Sequence, residues 1–179
     1  MASDFELIQR VLSGDGAAFN ELVLRHRKHV YETAYRMVRN HEVAEEIAQE
    51  AFIRAYRGLG SFRREAGFTT WLYRITMNLC FNELNRKKEI SEPNATVTAF
   101  ENASAVENMV REERREWLER QIEALPVKQK SVLILRVFRE MPFKDIARIV
   151  GCSAGAAKVN FRHAFLKLKE QSKNLREEL

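Results

Sequence analysis

A stretch rich in aromatic, amide and basic side chains runs from Phe68 to Lys88 and reads FTTWLYRITMNLCFNELNRKK. Cations of this kind neutralise phosphates, and aromatic rings stack on unpaired bases at about 1–3 kcal/mol each. An amide such as Asn78 can hydrogen-bond to the edge of a base. Because Arg63 and Arg64 stand just upstream, basic residues outnumber acidic ones here. The composition therefore favours contact with single-stranded nucleic acid.

The same stretch has two apolar faces when it is drawn as a helix that turns by about 100° per residue. The first face consists of Phe68, Trp71, Leu72, Ile75 and Leu79. The second face consists of Tyr73, Met77, Cys80, Phe81 and Leu84. Such a helix is either sandwiched in a bundle or uses one face for a partner. Sandwiching accounts for most of these residues. Arg74, Asn78 and Asn85 lie between the two faces, and Arg74 and Asn78 form a polar strip there.

A second candidate site lies near the C-terminus, where two short helices are predicted on either side of Gly151. Gly151 suits the left-handed end of the first helix, and Ser153 can cap the second. The residues predicted to face inward on the second helix are Ala157, Phe161, Ala164, Phe165 and Leu168. Those nearer its outer side are Lys158, Asn160, Arg162 and His163. The pair is either a DNA-binding helix-turn-helix or a helical corner with a solvated basic face, and the lack of acidic residues from Arg148 to Lys169 favours DNA.

Catalytic and metal chemistry find little support in the sequence. His26 and His29 stand three residues apart and could share a metal, but no Glu-x-x-His pair accompanies them. No glycine-rich phosphate loop and no Gly-x-Ser-x-Gly elbow occurs. We therefore interpret the histidines as surface residues and expect no enzymatic activity, no metal and no cofactor.

The cysteines and the lengths of the apolar runs predict the cellular compartment of the protein. Cys80 and Cys152 stand far apart and form no Cys-x-x-Cys pair, which favours a reduced, cytoplasmic protein. The N-terminus lacks the basic and then apolar order of a signal peptide. No apolar run approaches the roughly 20 residues that a membrane span needs, so we expect no direct membrane insertion.

The elements that must position these residues are predicted to be helices. The 179 residues include only 7 Gly and 3 Pro, 45% are hydrophobic, and no region shows sustained strand alternation. Residues 89–107 are rich in Ser, Asn, Thr, Ala and Glu and read as a flexible linker. We therefore predict an all-α fold with two small helical domains, residues 1–88 and 108–179, of which the second contains the helix-turn-helix.

The order of the motifs adds a resemblance. AEEIAQEAFIRAYRGLGSF is followed by FTTWLYRITMNL, a variable linker, LPVKQKSVLILRV and the helix-turn-helix. In this order they resemble bacterial extracytoplasmic-function (ECF) sigma factors, the compact two-domain class of RNA polymerase sigma factor. The resemblance covers nearly the whole chain apart from the linker. It implies a sigma region 2-like first domain and a sigma region 4-like second domain. Together these would bind core RNA polymerase, direct it to specific promoters and help to melt the minus-ten element.

The resemblance also implies roles for individual residues. Those matching the core polymerase-docking helix are Glu45, Glu46, Gln49, Glu50, Phe52 and Ile53. Those expected at the minus-ten element are Phe62, Arg63, Arg64, Tyr73, Arg74, Asn78, Arg86 and Lys87, with Phe62 and Asn78 capturing a flipped-out base. Those expected at the minus-thirty-five element are Ser153, Lys158, Val159, Asn160, Arg162 and His163. The family often has Gly-Thr-Val where this chain has Gly155-Ala156-Ala157, and Arg where it has Asn160, so promoter sequence cannot be inherited from other members.

The implied partners are core RNA polymerase and promoter DNA, as a duplex at minus-thirty-five and a single strand at minus-ten. Members of the family are usually held inactive by an anti-sigma factor, often membrane-anchored, so the resemblance implies such a partner too. A stand-alone helix-turn-helix repressor is the rival function. It would need a dimer interface and symmetric half-sites, and it would leave the aromatic and basic stretch without a role. Binding to core polymerase separates the two functions.

Overall fold

The computed structural model describes residues 2–63, 65–90 and 106–177. In the first half, α1 spans Asp4–Leu12, α2 Ala17–Val38, α3 His41–Gly58 and α4 Phe68–Ile90, with a 3₁₀ turn at Leu59–Ser61 before α4. In the second half, α5 spans Val106–Glu123, α6 Val127–Val137, α7 Phe143–Val150 and α8 Ala154–Glu177. No strand occurs within these described residues. The prediction of an all-α fold with two helical domains is confirmed.

Local capping chemistry explains where several helices begin and end. Ser3 and Glu6 form a reciprocal capping box at the start of α1. Asn40 caps α3, because its side-chain oxygen accepts a hydrogen bond from the Val43 amide at 2.9 Å. Between α7 and α8, Gly151 adopts the left-handed conformation with φ of 70°, and Ser153 Oγ accepts from the Ala156 amide at 3.0 Å. The predicted helix-turn-helix geometry is therefore present.

Both ends of the predicted linker are helical. Helix α4 continues through Ile90, and α5 begins at Val106, so both helices enter the 89–107 segment. The remaining positions of that segment, 91–105, lie outside the described residues. Helix α6 ends at Val137, and Pro142 immediately precedes the first residue of α7.

The first half has a core of its own, which joins α1, α2, α3 and the beginning of α4. Its fully buried members include Leu7, Ile8, Leu22, Leu59 and Leu72. The first apolar face of α4 packs into this core, with Trp71, Ile75 and Leu79 half-buried at its border. This part of the fold positions the loop that carries Phe62.

A second apolar core is shared by the two halves of the chain, and we call it the shared core. From the first half it takes residues of α2, α3 and α4, namely Ala34, Met37, Val38, Ala44, Ile47, Tyr73, Met77 and Cys80. From the second half it takes Val132, Ile134, Leu135, Met141, Ile146, Ala147, Ile149, Val150 and Ala157. Helix α7 packs against α4, and α6 packs against α2. The second apolar face of α4 is therefore sandwiched, as the first of the two alternatives predicted.

Charged side chains from the second half also reach into the first half. The Lys130 ammonium is buried and donates to the Met37 carbonyl oxygen at 2.8 Å. The Arg139 guanidinium donates to Glu32 Oε2 at 2.6 Å, to Thr33 Oγ1 at 2.9 Å and to His29 Nδ1 at 2.7 Å. Because the Arg139 side chain is only 8% exposed, these hydrogen bonds compensate for the loss of its water. Its three partners all lie on α2, so Arg139 fastens the α6–α7 turn to that helix.

Membrane spans and metal sites were also sought in the structure. Among the residues that the structure describes, no helix is long and apolar enough to cross a membrane. In the same residues, no group of three or more His, Cys, Asp or Glu side chains could hold a metal ion.

We predict that Arg139→Met lowers the free energy of unfolding by about 1–3 kcal/mol at neutral pH, because Glu32 and Thr33 lose a buried partner. Urea denaturation measures this change. Arg148→Met is the matched control, because Arg148 is exposed and has Asp145 at 3.5 Å, and it should cost less than about 0.5 kcal/mol. Equal losses in the two variants would contradict a special role for Arg139.

The contact between Arg139 and Glu32 also predicts that the effect of Arg139→Met on stability depends on pH. The hydrogen bond from Arg139 lowers the pKa of Glu32 below its ordinary value of 4.5. The contribution of a carboxylate with a depressed pKa is present above the unfolded pKa and is lost as the pH falls through the folded pKa. The stability difference between wild type and Arg139→Met should therefore shrink in acid. If the stability difference between the two proteins stays constant down to low pH, the loss in Arg139→Met comes from packing and not from the Glu32 carboxylate.

Candidate nucleic-acid and protein interfaces

The polar strip of α4 remains at the surface. Arg74 and Asn78 are one helical turn apart and both are exposed, although the residue before each is buried and the residue after each is half-buried. Tyr73 and Met77 precede them and enter the shared core, while Leu72 enters the core of the first half. An exposed cation and an exposed amide on a rigid helix can bind a phosphate and a base edge at fixed spacing.

Phe62 lies in the loop before α4, at the border of an aromatic cluster. Its ring centroid is 5.1 Å from that of Trp71 and 6.3 Å from that of Phe68, and its side chain is half-buried. Trp71 in turn lies against the backbone of Gly58, where an added Cβ would stand 3.2 Å from Trp71 Cζ2. The cluster fixes Phe62 by packing and leaves part of its ring accessible for stacking.

The other residues expected at the minus-ten element are placed differently from one another. Arg63 is exposed, and Arg64 lies outside the described residues. Arg86 is exposed and donates to Glu83 at 2.9 Å, and Lys87 is half-buried. Tyr73 is not the surface residue that a DNA contact requires, because it is 4% exposed in the shared core, where burial raises the pKa of its hydroxyl. Its phenol serves packing between the halves in this arrangement.

The outer face of α3 combines acidic and apolar side chains. Glu45, Glu46 and Gln49 are exposed, and Ile53 continues the same face one turn later. Glu50 is half-buried and accepts from Arg54 Nε at 2.6 Å, so part of its charge is compensated within the helix. Phe52 differs from the expectation of a docking residue, because it is 7% exposed in the core of the first half.

Tyr56 is a surface residue of this face that the sequence analysis missed. It stands seven residues after Gln49, which puts it on the same side of the helix, and half of its surface is exposed. Its ring meets Phe19 of α2 edge-on at 5.0 Å, beside an open cleft that Ile53 also lines. The i, i+7 spacing of Gln49 and Tyr56 was the sequence signal that could have identified Tyr56. We call the exposed residues Glu45, Glu46, Gln49, Ile53 and Tyr56 the docking face.

The outer side of α8 carries most of the residues expected at the minus-thirty-five element. Lys158, Val159, Arg162 and His163 are exposed, and Ser153 is the exposed cap of the helix. Asn160 is only half-exposed, because its amide nitrogen donates to the Ala156 carbonyl at 2.9 Å. That bond occupies one of the two N–H donors of the amide and holds the side chain against the helix backbone.

Phe165 was expected to face inward, and that prediction is wrong. Its side chain is 53% exposed, and its ring stacks on Phe161 at 6.3 Å. The inward positions are filled by Ala157, Ala164, Phe161 and Leu168, which pack on α6 and α7 or at their border. Lys130 and Arg139 were missed altogether, since no local pattern marks a cation that is buried by a distant helix.

Two families match the chain in separate segments. Residues 22–90 match sigma-70 region 2, and residues 115–168 match sigma-70 region 4. The first segment contains the docking face and the polar strip of α4. The second contains the helix-turn-helix.

Whole-chain relatives agree with these matches. The ECF RNA polymerase sigma-E factor of Escherichia coli K12 is 36% identical over 167 residues, covering 87% of both proteins. The RNA polymerase sigma-H factor of Pseudomonas aeruginosa is 35% identical over 167 residues, covering 87% of this chain and 86% of the relative. The ECF RNA polymerase sigma factor SigW of Bacillus subtilis is 31% identical over 179 residues, covering 94% and 96%.

Solved structures share the fold at lower identity. CnrH, in complex with the cytosolic domain of CnrY, superposes with a TM-score of 0.72 at 21% identity, covering 94% of this chain and 96% of CnrH. The sigma factor RpoE from Bartonella quintana, in complex with the anti-sigma factor NepR, gives 0.69 at 20% identity, covering 87% and 96%. Sigma factors are transcription initiation factors rather than catalysts. The chain belongs to the ECF group of RNA polymerase sigma factors and directs promoter-specific transcription.

Proposed function

We propose that three surfaces divide the work of initiation. The docking face of α3 binds a basic surface of core RNA polymerase. The polar strip of α4, together with Phe62, captures an unpaired base of the minus-ten element. The outer side of α8 enters the major groove at the minus-thirty-five element. The observation that carries the proposal is Asn78, an exposed amide on a helix whose two flanking faces each pack against an apolar core.

Base capture by this helix is energetically reasonable. Flipping a base out of the duplex costs a few kcal/mol, which stacking and edge hydrogen bonds must offset. Phe62 offers the accessible part of a fixed ring, and Asn78 offers a donor and an acceptor. The Phe62 ring and the backbone of α4 below Asn78 are held by packing, so little backbone entropy is lost when a base binds. Arg63 and Arg74 are exposed nearby in the chain and can neutralise phosphates of the same strand.

The protein also has a regulatory partner in this proposal. CnrH was solved with the cytosolic domain of CnrY, and RpoE with the anti-sigma factor NepR. We infer that an anti-sigma factor likewise binds this chain and competes with polymerase. The chain acts in the cytoplasm with polymerase, has no active site of its own and leaves the chemistry of RNA synthesis to the polymerase.

The two DNA-binding surfaces cannot reach both promoter elements in the arrangement described above. Elements two helical turns apart are separated by roughly 70 Å, whereas α7 of the helix-turn-helix packs directly against α4. The 15 positions between α4 and α5, residues 91–105, have a contour length of about 50 Å. We infer that the halves separate at the shared core when the protein binds polymerase and promoter.

For the docking face, we predict that Glu46→Lys weakens binding to core polymerase by at least tenfold, because a like charge would face a basic surface. Glu46 is exposed, so the fold should be unaffected. Titration of core enzyme with labelled protein measures the affinity. Glu113→Lys makes the same charge change at an exposed position of α5 and should leave the affinity unchanged. If both variants lose the same affinity for core polymerase, the effect comes from the change in net charge and not from the docking face.

For base capture, we predict that Asn78→Ala lowers promoter opening by about tenfold and leaves polymerase binding intact, because a base-edge contact is lost. Permanganate reactivity of unpaired thymines and transcription from a promoter selected by the holoenzyme measure opening. Asn85→Ala is the control, because Asn85 is also an exposed amide and lies about 10 Å further along α4. A similar loss for Asn85→Ala would indicate a general strand contact instead.

For separation of the halves, we predict that energy transfer between dyes at the exposed residues Gln9 and Lys169 falls when the protein binds polymerase and promoter. Free Arg139→Met should show an intermediate value, because it lacks the contacts to α2. A dye pair at Gln9 and Lys28, both in the first half, should not change. Constant transfer between the first pair in the promoter complex would show that the halves stay together.

A further inference from the structure

The centre of the outer side of α8 is apolar. Measured at about 100° per residue, Val159 points roughly 190° away from the mean direction of the inward residues, which are Ala157, Phe161, Ala164 and Leu168. The structure agrees with this direction, because those four residues are buried or half-buried while Val159 is 52% exposed. Val159 and Leu166, which is 48% exposed, therefore project most directly away from the protein, and neither of them is a cation.

The neighbours of Val159 on the helix surface are suited to DNA. Arg162 and His163 flank it at roughly 60° on one side and 40° on the other, and both are exposed. Gly155 lies one turn earlier on the same side, where an added Cβ would meet only Ser153 Oγ, at 3.8 Å. Without a side chain at Gly155, the helix backbone can approach a groove closely in front of Val159. No acidic residue occurs from Arg148 to Lys169 to repel phosphates.

The chemistry of Val159 selects one feature of the major groove. A valine has no hydrogen-bonding group, so it cannot read the donors and acceptors of the base edges. The thymine 5-methyl group is the apolar feature of the groove, and small apolar side chains contact it. Asn160, the adjacent amide, has one of its two N–H donors bonded to the Ala156 carbonyl and is only half-exposed. Of these two neighbours, Val159 is the more exposed and the one directed away from the protein.

We propose that Val159 determines promoter specificity by contacting the methyl group of one thymine in the minus-thirty-five element. This inference rests on the proposed function of α8. Lys158 and Arg162 supply attraction to the backbone or to neighbouring bases, and Val159 supplies the discrimination at one base pair. A base pair without the methyl group at that position leaves the valine against a void or against water, which weakens binding.

The experiment compares thymine with deoxyuridine, which lacks only the 5-methyl group. Holoenzyme assembled from core polymerase and the full chain selects upstream elements from a library that is randomised in the minus-thirty-five region. Each selected thymine is then replaced singly by deoxyuridine, and holoenzyme affinity is measured. We expect one position at which wild-type affinity falls roughly fourfold, the factor equivalent to about 0.8 kcal/mol for one buried methyl group.

Two variants assign that loss to a residue. Val159→Ala should bind the thymine and deoxyuridine elements equally, and because Val159 is exposed the variant should keep the wild-type circular dichroism. Lys158→Ala should bind both elements more weakly but keep the fourfold ratio, because it removes only a charge. Affinity of Val159→Ala for core polymerase should equal that of wild type.

The failures can be told apart. If the wild-type holoenzyme selects an element but binds its thymine and deoxyuridine forms equally at every position, this inference is overturned and the proposed function stands. If Val159→Ala keeps the fourfold ratio, or loses polymerase binding instead, the valine serves another contact and the inference is again overturned. If no upstream element is selected at all, the proposed role of α8 fails and this inference fails with it.

Discussion

The burial of one apolar core by both halves of the chain is the constraint on which the rest of the structure depends. Helices α2 and α4 from the first half meet α6 and α7 from the second, and Met37, Met77, Ile134 and Ile146 are completely buried there. Each half alone would expose this surface to water, at a cost of about 25 cal/mol per Å². The same packing explains how a lysine and an arginine are tolerated in the interface. Their hydrogen bonds to Met37, Glu32 and Thr33 replace the water that they lose.

Helix α4 shows how this constraint shapes the functional surface. Its two apolar faces are occupied by different cores, so the exposed part is narrow and its direction is fixed from both sides. Asn78 lies on that exposed part, and the aromatic residues that dominate the stretch mostly serve packing. Phe62 is the exception, because it is held by Trp71 and Phe68 at the border of a core rather than inside one. Stability and recognition therefore use different residues of one helix.

The features that follow from neighbouring residues were predictable, and those that depend on distant contacts were not. The caps at Ser3 and Ser153 and the turn at Gly151 follow from local backbone chemistry, and all three are present. The two faces of α4 were visible in the spacing of its apolar residues. The burial of the second face by the second half of the chain was not predictable. The spacing of apolar residues shows that a face is buried but not which element packs on it.

The same distinction between local and distant contacts applies to the individual site residues. Glu46 and Lys158 are exposed as the helix patterns indicate, whereas Phe52 and Tyr73 carry motif positions yet are buried by tertiary packing. Phe165 shows the opposite error, since it lies midway along α8 next to the buried Ala164, yet its own side of the helix is 53% exposed.

The polar contacts at the shared core give the separation of the halves a chemical signature. Burial lowers the pKa of the Lys130 ammonium, and the hydrogen bond from Arg139 lowers the pKa of Glu32. Both groups therefore hold protons less tightly when the halves are together than when water surrounds them. Closing the interface expels protons in the pH ranges where these groups titrate, and opening takes them up again. Glu32 thus favours the closed form as the pH rises through the acid range. In the alkaline range, burial raises the pKa values of Tyr73 and Cys80, which opposes the effect of Lys130.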